Sequence, residues 1–362
     1  MRILPSSILH GSILIITLWI TACTPPAPTI DDRLAAGRAA LDAGAVTAAI
    51  AEFEAAVALD STRAEAQVLL GQAYYQAGRL DEARSRLEIG LRQDSNNASA
   101  QYLLGDLSVD SGQPVEAAIA YGAAVKIDPA PRSAHPQIEQ TIDAALQAGR
   151  DAAEAGEWAQ AVRALDAVLI LRPELVEARF TLGNAHFSLG NLDAAQVAYE
   201  AVLQTDPQYA PALTNLGVVA YQAANLDRAV ALFQQALAIE PDDVETLYLL
   251  GAAYLNQDKR DEARIQFERA LELDPDLAEA HIGLGNVYLL DKDYERAVAT
   301  LLRAVELRPD SPEALFALGK TYAEMGRCRD AIPVFQKFGE LNPAEPFKSE
   351  AEQLRQTCAN SP

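Results

Sequence analysis

The sequence predicts an all-α solenoid of about nine stacked helix pairs, closed by a C-terminal capping helix. Three observations carry this expectation. Gly37, Gly71 and Gly105 lie 34 residues apart, as do Gly149, Gly183, Gly217, Gly251, Gly285 and Gly319 after one step of 44. Twelve residues after each glycine stands an alanine, from Ala49 to Ala331. Sixteen after it stands a large apolar residue: Phe53, Leu87, Tyr121, Leu165, Tyr199, Phe233, Phe267, Leu301 and Phe335. A fixed period of this length marks units that cannot bury an apolar face alone and so stack on their neighbours.

Residues 1–22 come first and read as a targeting leader. Arg2 supplies positive charge, and the apolar stretch ILHGSILIITLWI falls short of the ~20 residues a membrane span needs. The stretch ends in Ile20-Thr21-Ala22-Cys23, which resembles the lipobox of bacterial lipoproteins. That resemblance implies a lipid on Cys23 as the mature N-terminus. Thr24 stands where an Asp would mark inner-membrane retention, so it further implies an outer-membrane anchor facing the periplasm. The alternative is an ordinary secretory signal with an incidental cysteine. Residues 23–30, with TPPAPT, form a Pro-rich extended tether that holds the body off a membrane.

Residues 31–129 hold repeats one to three and residues 140–345 repeats four to nine. Leu70-Gly71 to Tyr74 and Ala83 to Leu87 have helical spacing, so each unit is two amphipathic helices. Gly78, Gly112, Gly156, Gly190 and Gly326, seven residues after the first glycine, suit the left-handed residue that closes a helix. Twenty-four residues after it, seven of the nine repeats carry Pro, which stops the second helix. A glycine inside a helix costs about 1 kcal/mol relative to Ala, so nine of them imply a close approach of small residue to small residue, Gly251 against Ala263. This column also accounts for Gly319-Lys320-Thr321. A phosphate-binding loop would need a glycine at Ala314 and a strand before it, so no nucleotide site is expected.

Ten extra residues around APRSAHPQIE (130–139), with Pro129, Pro131 and Pro136, predict a short loop and then a lengthened first helix. The segment either divides the two groups of repeats or is a plain surface loop. Residues 346–362 predict a capping helix and tail that shield the end of the stack. Cys328 opens the last repeat's second helix and Cys358 ends the capping helix. Antiparallel neighbours bring those ends together, and in an oxidising periplasm a disulfide there would stabilise the cap by ~3 kcal/mol. Two free thiols are the alternative.

The pattern resembles the tetratricopeptide repeat (TPR), most closely in LYLLGAAYLNQDKRDEARIQFERALELDP, residues 247–275. The resemblance covers about residues 30–345. It departs where Ser108, His186 and Ala220 replace the usual Tyr, and no Trp holds the first signature position. It implies a right-handed superhelix whose first helices line a concave groove for peptides or partner proteins. Residues three before, one after and four after the glycine should face that groove. They are Tyr102, Phe180, Tyr248 and Phe316; Asn184 and Asn286; and Tyr75, Phe187 and Tyr221. Aromatics with amides between them suit an extended or helical apolar segment of a partner, although about half should pack between repeats instead.

The remaining chemistry is sparse. The formal charge is −22, and removal of Arg2 with the leader takes it to −23. Such a field excludes nucleic acid and favours neutral to basic protein or peptide partners, with membrane contact only through the N-terminal lipid. His135, His186 and His281 form no metal motif, and no nucleophile–base order stands out, so no metal, cofactor or catalytic residue is expected. Acids six before the glycine (Asp31, Glu65, Asp143, Glu177, Glu245, Glu279, Glu313) read either as a carboxylate ladder for a basic ligand or as first-turn residues opposing the helix dipole. The expected function is a non-catalytic, lipid-anchored scaffold for an envelope machine: pilus, outer-membrane protein, peptidoglycan or polysaccharide export. The alternative is a glycan-binding accessory protein.

Overall fold

The computed structural model describes residues 27–129 and 135–360, and the regular structure among them is entirely helical. The leader and residues 23–26 of the tether, Cys23 among them, lie outside these residues. Among them no helix is long and apolar enough to cross a membrane. The chain divides into two compact units at residues 100 and 101, in the first turn of the third repeat and not at the insertion.

The first unit holds α1 (Ile30–Asp42), α2 (Val46–Leu59), α3 (Ala64–Gln76) and α4 (Leu80–Gln93). The second begins in the first turn of α5 (Ala98–Asp110), paired in sequence with α6 (Pro114–Ile127). Then come α7 (Gln137–Glu154), α8 (Trp158–Leu171), α9 (Val176–Ser188), α10 (Leu192–Thr205), α11 (Ala210–Gln222) and α12 (Leu226–Ile239). The last are α13 (Val244–Asn256), α14 (Arg260–Leu273), α15 (Ala278–Leu290), α16 (Tyr294–Leu307), α17 (Pro312–Glu324), α18 (Cys328–Glu340) and α19 (Phe347–Ala359). Odd-numbered helices to α17 carry the glycine column. From α7 on, each packs on the even-numbered helix that follows, and that helix packs on the next repeat.

Thr29 begins α1 with a capping box, its hydroxyl accepting from the Asp32 N–H while the Asp32 carboxylate accepts from the Thr29 N–H. Each turn between paired helices is closed by a left-handed residue. In the first, Gly44 has φ +72°, its N–H reaches the Leu41 carbonyl, and the Ala45 N–H reaches Ala40, which satisfies two terminal carbonyls of the helix. The five glycines expected here all have positive φ, and Ala224, Asp258 and Lys292 hold the same place at φ 57–60°. The second helices end before the expected proline: α2 and α4, which have none, stop at the same column as the rest. At α2, α4, α10 and α14 an extended Asp follows the last turn, its carboxylate accepting from the N–H two residues on, as Asp60 does from Thr62 and Asp206 from Gln208.

The glycine column is explained differently from the small-against-small packing expected. A Cβ on Gly251 would lie 2.7 Å from the Phe267 ring, and one on Gly217 2.5 Å from the Phe233 ring. The large residue of the second helix therefore lies flat on the glycine, and Phe53, Phe233 and Phe267 are fully buried by this. The Phe267 ring also covers Gly283 of the next repeat, which ties two repeats together.

Insertion residues 130–134 lie outside the described residues. The remainder lengthens α7 to 18 residues against 13 in α9. At the other end α19 packs on α17 and α18. The structure joins Cys328 and Cys358 with a Cα–Cα distance of 4.9 Å, which pins the capping helix at its C-terminal end.

Candidate functional site

Gly319-Lys320-Thr321 lies in the middle of α17, where Thr321 is buried and its hydroxyl donates to the Ala317 carbonyl at 2.7 Å. Lys320 pairs with Glu350 of the capping helix at 2.7 Å. Neither is placed to hold a phosphate.

The three proposed groove columns have divided. Tyr102 is a correction: it is only 2% exposed. His135, within the insertion, stacks on it at 4.4 Å with an interplanar angle of 7°, and the Tyr102 hydroxyl donates to the Asp128 carbonyl. His135 also approaches Asp106, one residue after Gly105, with Nδ1 3.2 Å from Oδ1, and the Tyr121 hydroxyl donates to the same oxygen at 2.6 Å. His135 thus covers Tyr102 and meets Asp106, two of the third repeat's three column residues. Tyr75, in the first unit, is half-buried.

In the fifth to ninth repeats the columns remain largely open, Thr214 of the sixth being buried against Thr246. Phe180, Asn184, Phe187, Tyr221, Tyr248, Asn286 and Phe316 are all half-buried, with one side in the core and the other free. Phe180 rests on Tyr209 and Tyr199 at 5.1 and 6.0 Å between ring centroids, Tyr248 on Phe267 at 6.2 Å, and Phe316 on Phe338 and Phe347 at 5.6 and 5.1 Å. Such rings lose little further entropy on binding and offer large apolar faces, which makes them strong contact residues. Burial pushes the Tyr248 phenol up, so it stays neutral and able to donate.

Three cavities lie along these columns. One of about 260 Å³ has Phe180 and Asn215 on its walls with Glu240, Asp243 and Glu245. The next, about 220 Å³, is lined by Asn184, Phe187, Tyr199, Asn215 and Val218. The third, about 440 Å³, is lined by Leu255, Asn286, Leu289, Phe316 and Lys320 among others. Between the first two, Asn184 Oδ1 accepts from the Tyr199 hydroxyl at 2.8 Å and from Asn215 Nδ2 at 2.9 Å. Burial pushes the Tyr199 phenol up to about 12, with the Asn215 hydrogen bond acting the other way. Tyr199 and Asn215 were not among the expected site residues. Its large-apolar column marks Tyr199 as core, and only its hydroxyl reaches the amides. Asn215 sits in a column with no regular pattern.

The acid column does not form a free ladder. Asp31 pairs with Arg63 at 3.1 Å, Glu65 with Arg63 at 3.0 Å and with Arg38, Glu177 with Arg150, and Glu279 with Arg308 at 2.5 Å. The Arg63 hydrogen bond holds the Glu65 carboxyl below its ordinary value. Most of these acids stand in first turns, as the dipole reading requires. Among the described residues no three potential metal-ligating side chains come together.

Sequence profiles of the tetratricopeptide repeat match residues 40–107, 146–210, 180–244, 248–312 and 313–344. No curated protein matches the chain. Among solved structures it is similar to Pseudomonas aeruginosa PilF, at 18% identity over 59% of this chain and 98% of that one, with a TM-score of 0.53. It is also similar to MamA of Desulfovibrio magneticus RS-1, at 22% identity over 46% of this chain and 95% of that one, TM-score 0.44. YrrB, described as a TPR protein with an unusual peptide-binding site, is 21% identical over 53% of this chain and 99% of that one, TM-score 0.44. The chain belongs to the tetratricopeptide repeat family.

Proposed function

We propose that this protein is a non-catalytic adaptor of a bacterial envelope, anchored by a lipid on Cys23 and facing the periplasm. Its working surface is the run of half-buried aromatics and amides on the first helices of repeats five to nine. It binds an apolar, neutral to basic segment of a partner protein as an assembly factor. The observation that supports this most is the alternation of ring and amide, Phe180 with Asn184–Asn215 and then Phe316 with Asn286, along three consecutive cavities. Rings offer apolar anchors, and the amides can satisfy a partner backbone that would otherwise lose its hydrogen bonds with water.

The anchor is tested by fractionation. Cys23→Ala should release the protein from the membrane fraction and change its mobility, and retention with unchanged mobility would refute the lipid. The binding role is tested with purified protein and envelope glycans. Saturable glycan binding that is lost in Phe180→Ala and Tyr248→Ala, with no protein partner present, would instead establish the glycan-accessory reading.

A further inference from the structure

A separate cavity of about 440 Å³ opens between the second helices of repeats four and five, and none of its lining residues belongs to the groove columns. Leu182 and His186 of α9 form its base, with Leu169 of α8 and Ala194 and Val197 of α10 around them. Val197 is 66% exposed there, the most of any large apolar side chain among the described residues.

The other repeats show what fills this place. Three residues after the glycine, Tyr288 donates its hydroxyl to Glu268 of the preceding second helix, and Arg296 lies 4.7 Å over its ring. Tyr254 takes a hydrogen bond from Gln234 and carries Lys259 over its ring. In the sixth repeat Ala220 replaces the tyrosine, and Arg228 reaches the equivalent Glu200 directly at 2.6 Å. Two of these joints set an acceptor of the second helix, Glu268 or Glu200, against an arginine of the chain, and the third, where Gln234 donates, carries Lys259 over the ring.

The joint between repeats four and five keeps the acceptor and the ring but lacks the cation. Asp166 holds the position of Glu268, and His186 that of Tyr288. The place of Arg296 falls to Ala194, which lines the cavity. Asp166 is solvent-exposed yet crowded enough that lost hydration pushes its carboxyl up, with His186 acting the other way. Arg179 also lines the cavity, but it stands two helical turns, about 10 Å, from His186. It is tied there to the Ala201 carbonyl at 3.3 Å and the Thr205 hydroxyl at 3.2 Å. Asp193 is the one carboxylate of the lining itself, and Asp166 stands outside it.

We propose that this cavity is a second docking site, which takes an arginine side chain presented by a partner protein, its guanidinium over the His186 ring and paired with Asp166. The arginine stem covers Leu182 and Val197, and the head supplies the charge that Arg296 and Lys259 supply within the chain elsewhere. The site shares no residue with the groove and stands whether or not the groove binds a peptide.

Four histidines in the sequence make the test direct, since the ring signals of His186 can be assigned by substitution. The full-length protein, labelled in its histidine rings, is titrated with the capped peptide Ala-Ala-Arg-Ala-Ala and with the same peptide carrying norleucine for Arg. The His186 signals should shift saturably with the arginine peptide and about fivefold less with norleucine. Asp166→Asn should weaken the response by a similar factor, and Ala194→Arg, which restores an internal cation, should abolish it. An unmoved His186, an equal response to norleucine, or full binding by Ala194→Arg would each overturn the proposal. Ala194→Arg stands at an accessible turn of α10, and its unchanged helical spectrum separates loss of binding from loss of fold.

Discussion

Tyr102 and Tyr248 occupy the same column, three residues before the glycine of their repeats, and meet different fates. Tyr248 is half-buried along an open run of rings, whereas Tyr102 is sealed under His135 and bonded to the Asp128 carbonyl. Periodicity fixes which way a side chain leaves its helix. What then lies above it depends on neighbours that the repeat does not specify, and here on a ring delivered by the insertion. The column therefore does two jobs: it stabilises the fold in repeat three and offers a surface from repeat five onward.

The largest effect that would test this contrast is on stability. Tyr102→Ala should cost about 3–5 kcal/mol, as loss of a buried aromatic does. Tyr248→Ala should cost about 1–2 kcal/mol, because its ring is only half-buried. A long repeat array need not unfold in one step, so hydrogen exchange read separately over α5 and α13 is the suitable measurement. Equal losses of protection at both helices would erase the distinction.

Binding should show the opposite order. Phe180→Ala or Tyr248→Ala should weaken association with a captured partner by tenfold or more, about 1.4 kcal/mol, as central aromatic contacts do. Tyr102→Ala should change it by less than about twofold where the repeat still folds. Titration by calorimetry on the purified pair measures both. A partner indifferent to Phe180 and Tyr248 would move the working surface elsewhere.

His135→Ala sharpens the comparison at its source. Loss of the stack on Tyr102 should lower protection of α5 by about 1 kcal/mol. Tyr102 should become accessible to tyrosine-selective modification, as Tyr248 already is on its free side. Continued inaccessibility would mean that His135 is not what covers it.

The turns give a smaller contrast of the same kind. Six of them close on a glycine, while Ala224, Asp258 and Lys292 hold the left-handed conformation at φ 57–60°. Ala224→Gly and Lys292→Gly should raise stability by at most ~1 kcal/mol, since relief of the strain is partly offset by the greater freedom of an unfolded glycine. A loss of stability in denaturant melts would contradict this.

Much of the fold was legible because each repeat restates it. Glycine, alanine and large-apolar columns located every helix pair, the seventh residue after the glycine located the turns, and Cys328 and Cys358 stand together where antiparallel ends meet. The packing under the glycine was misread, because spacing shows that a small residue is needed without showing what lies on it. The Phe267 ring, and not Ala263, is what meets Gly251. The site was legible as a set of columns but not as a surface. Tyr102 was lost to a ring from within the insertion, Asn215 joined through a contact between repeats that no single period encodes, and the Tyr199 hydroxyl joined through one inside its own repeat.

On the proposed reading, partners dock from repeat five onward and not in repeat three. Photo-crosslinking in cells tests it most directly, with the reactive residue placed in turn at Phe180, Tyr248 and Tyr102 and the products identified by mass spectrometry. One envelope protein should be captured at both Phe180 and Tyr248 and none at Tyr102. Capture at Tyr102 equal to that at Tyr248, or no specific product at Phe180 and Tyr248, would contradict it.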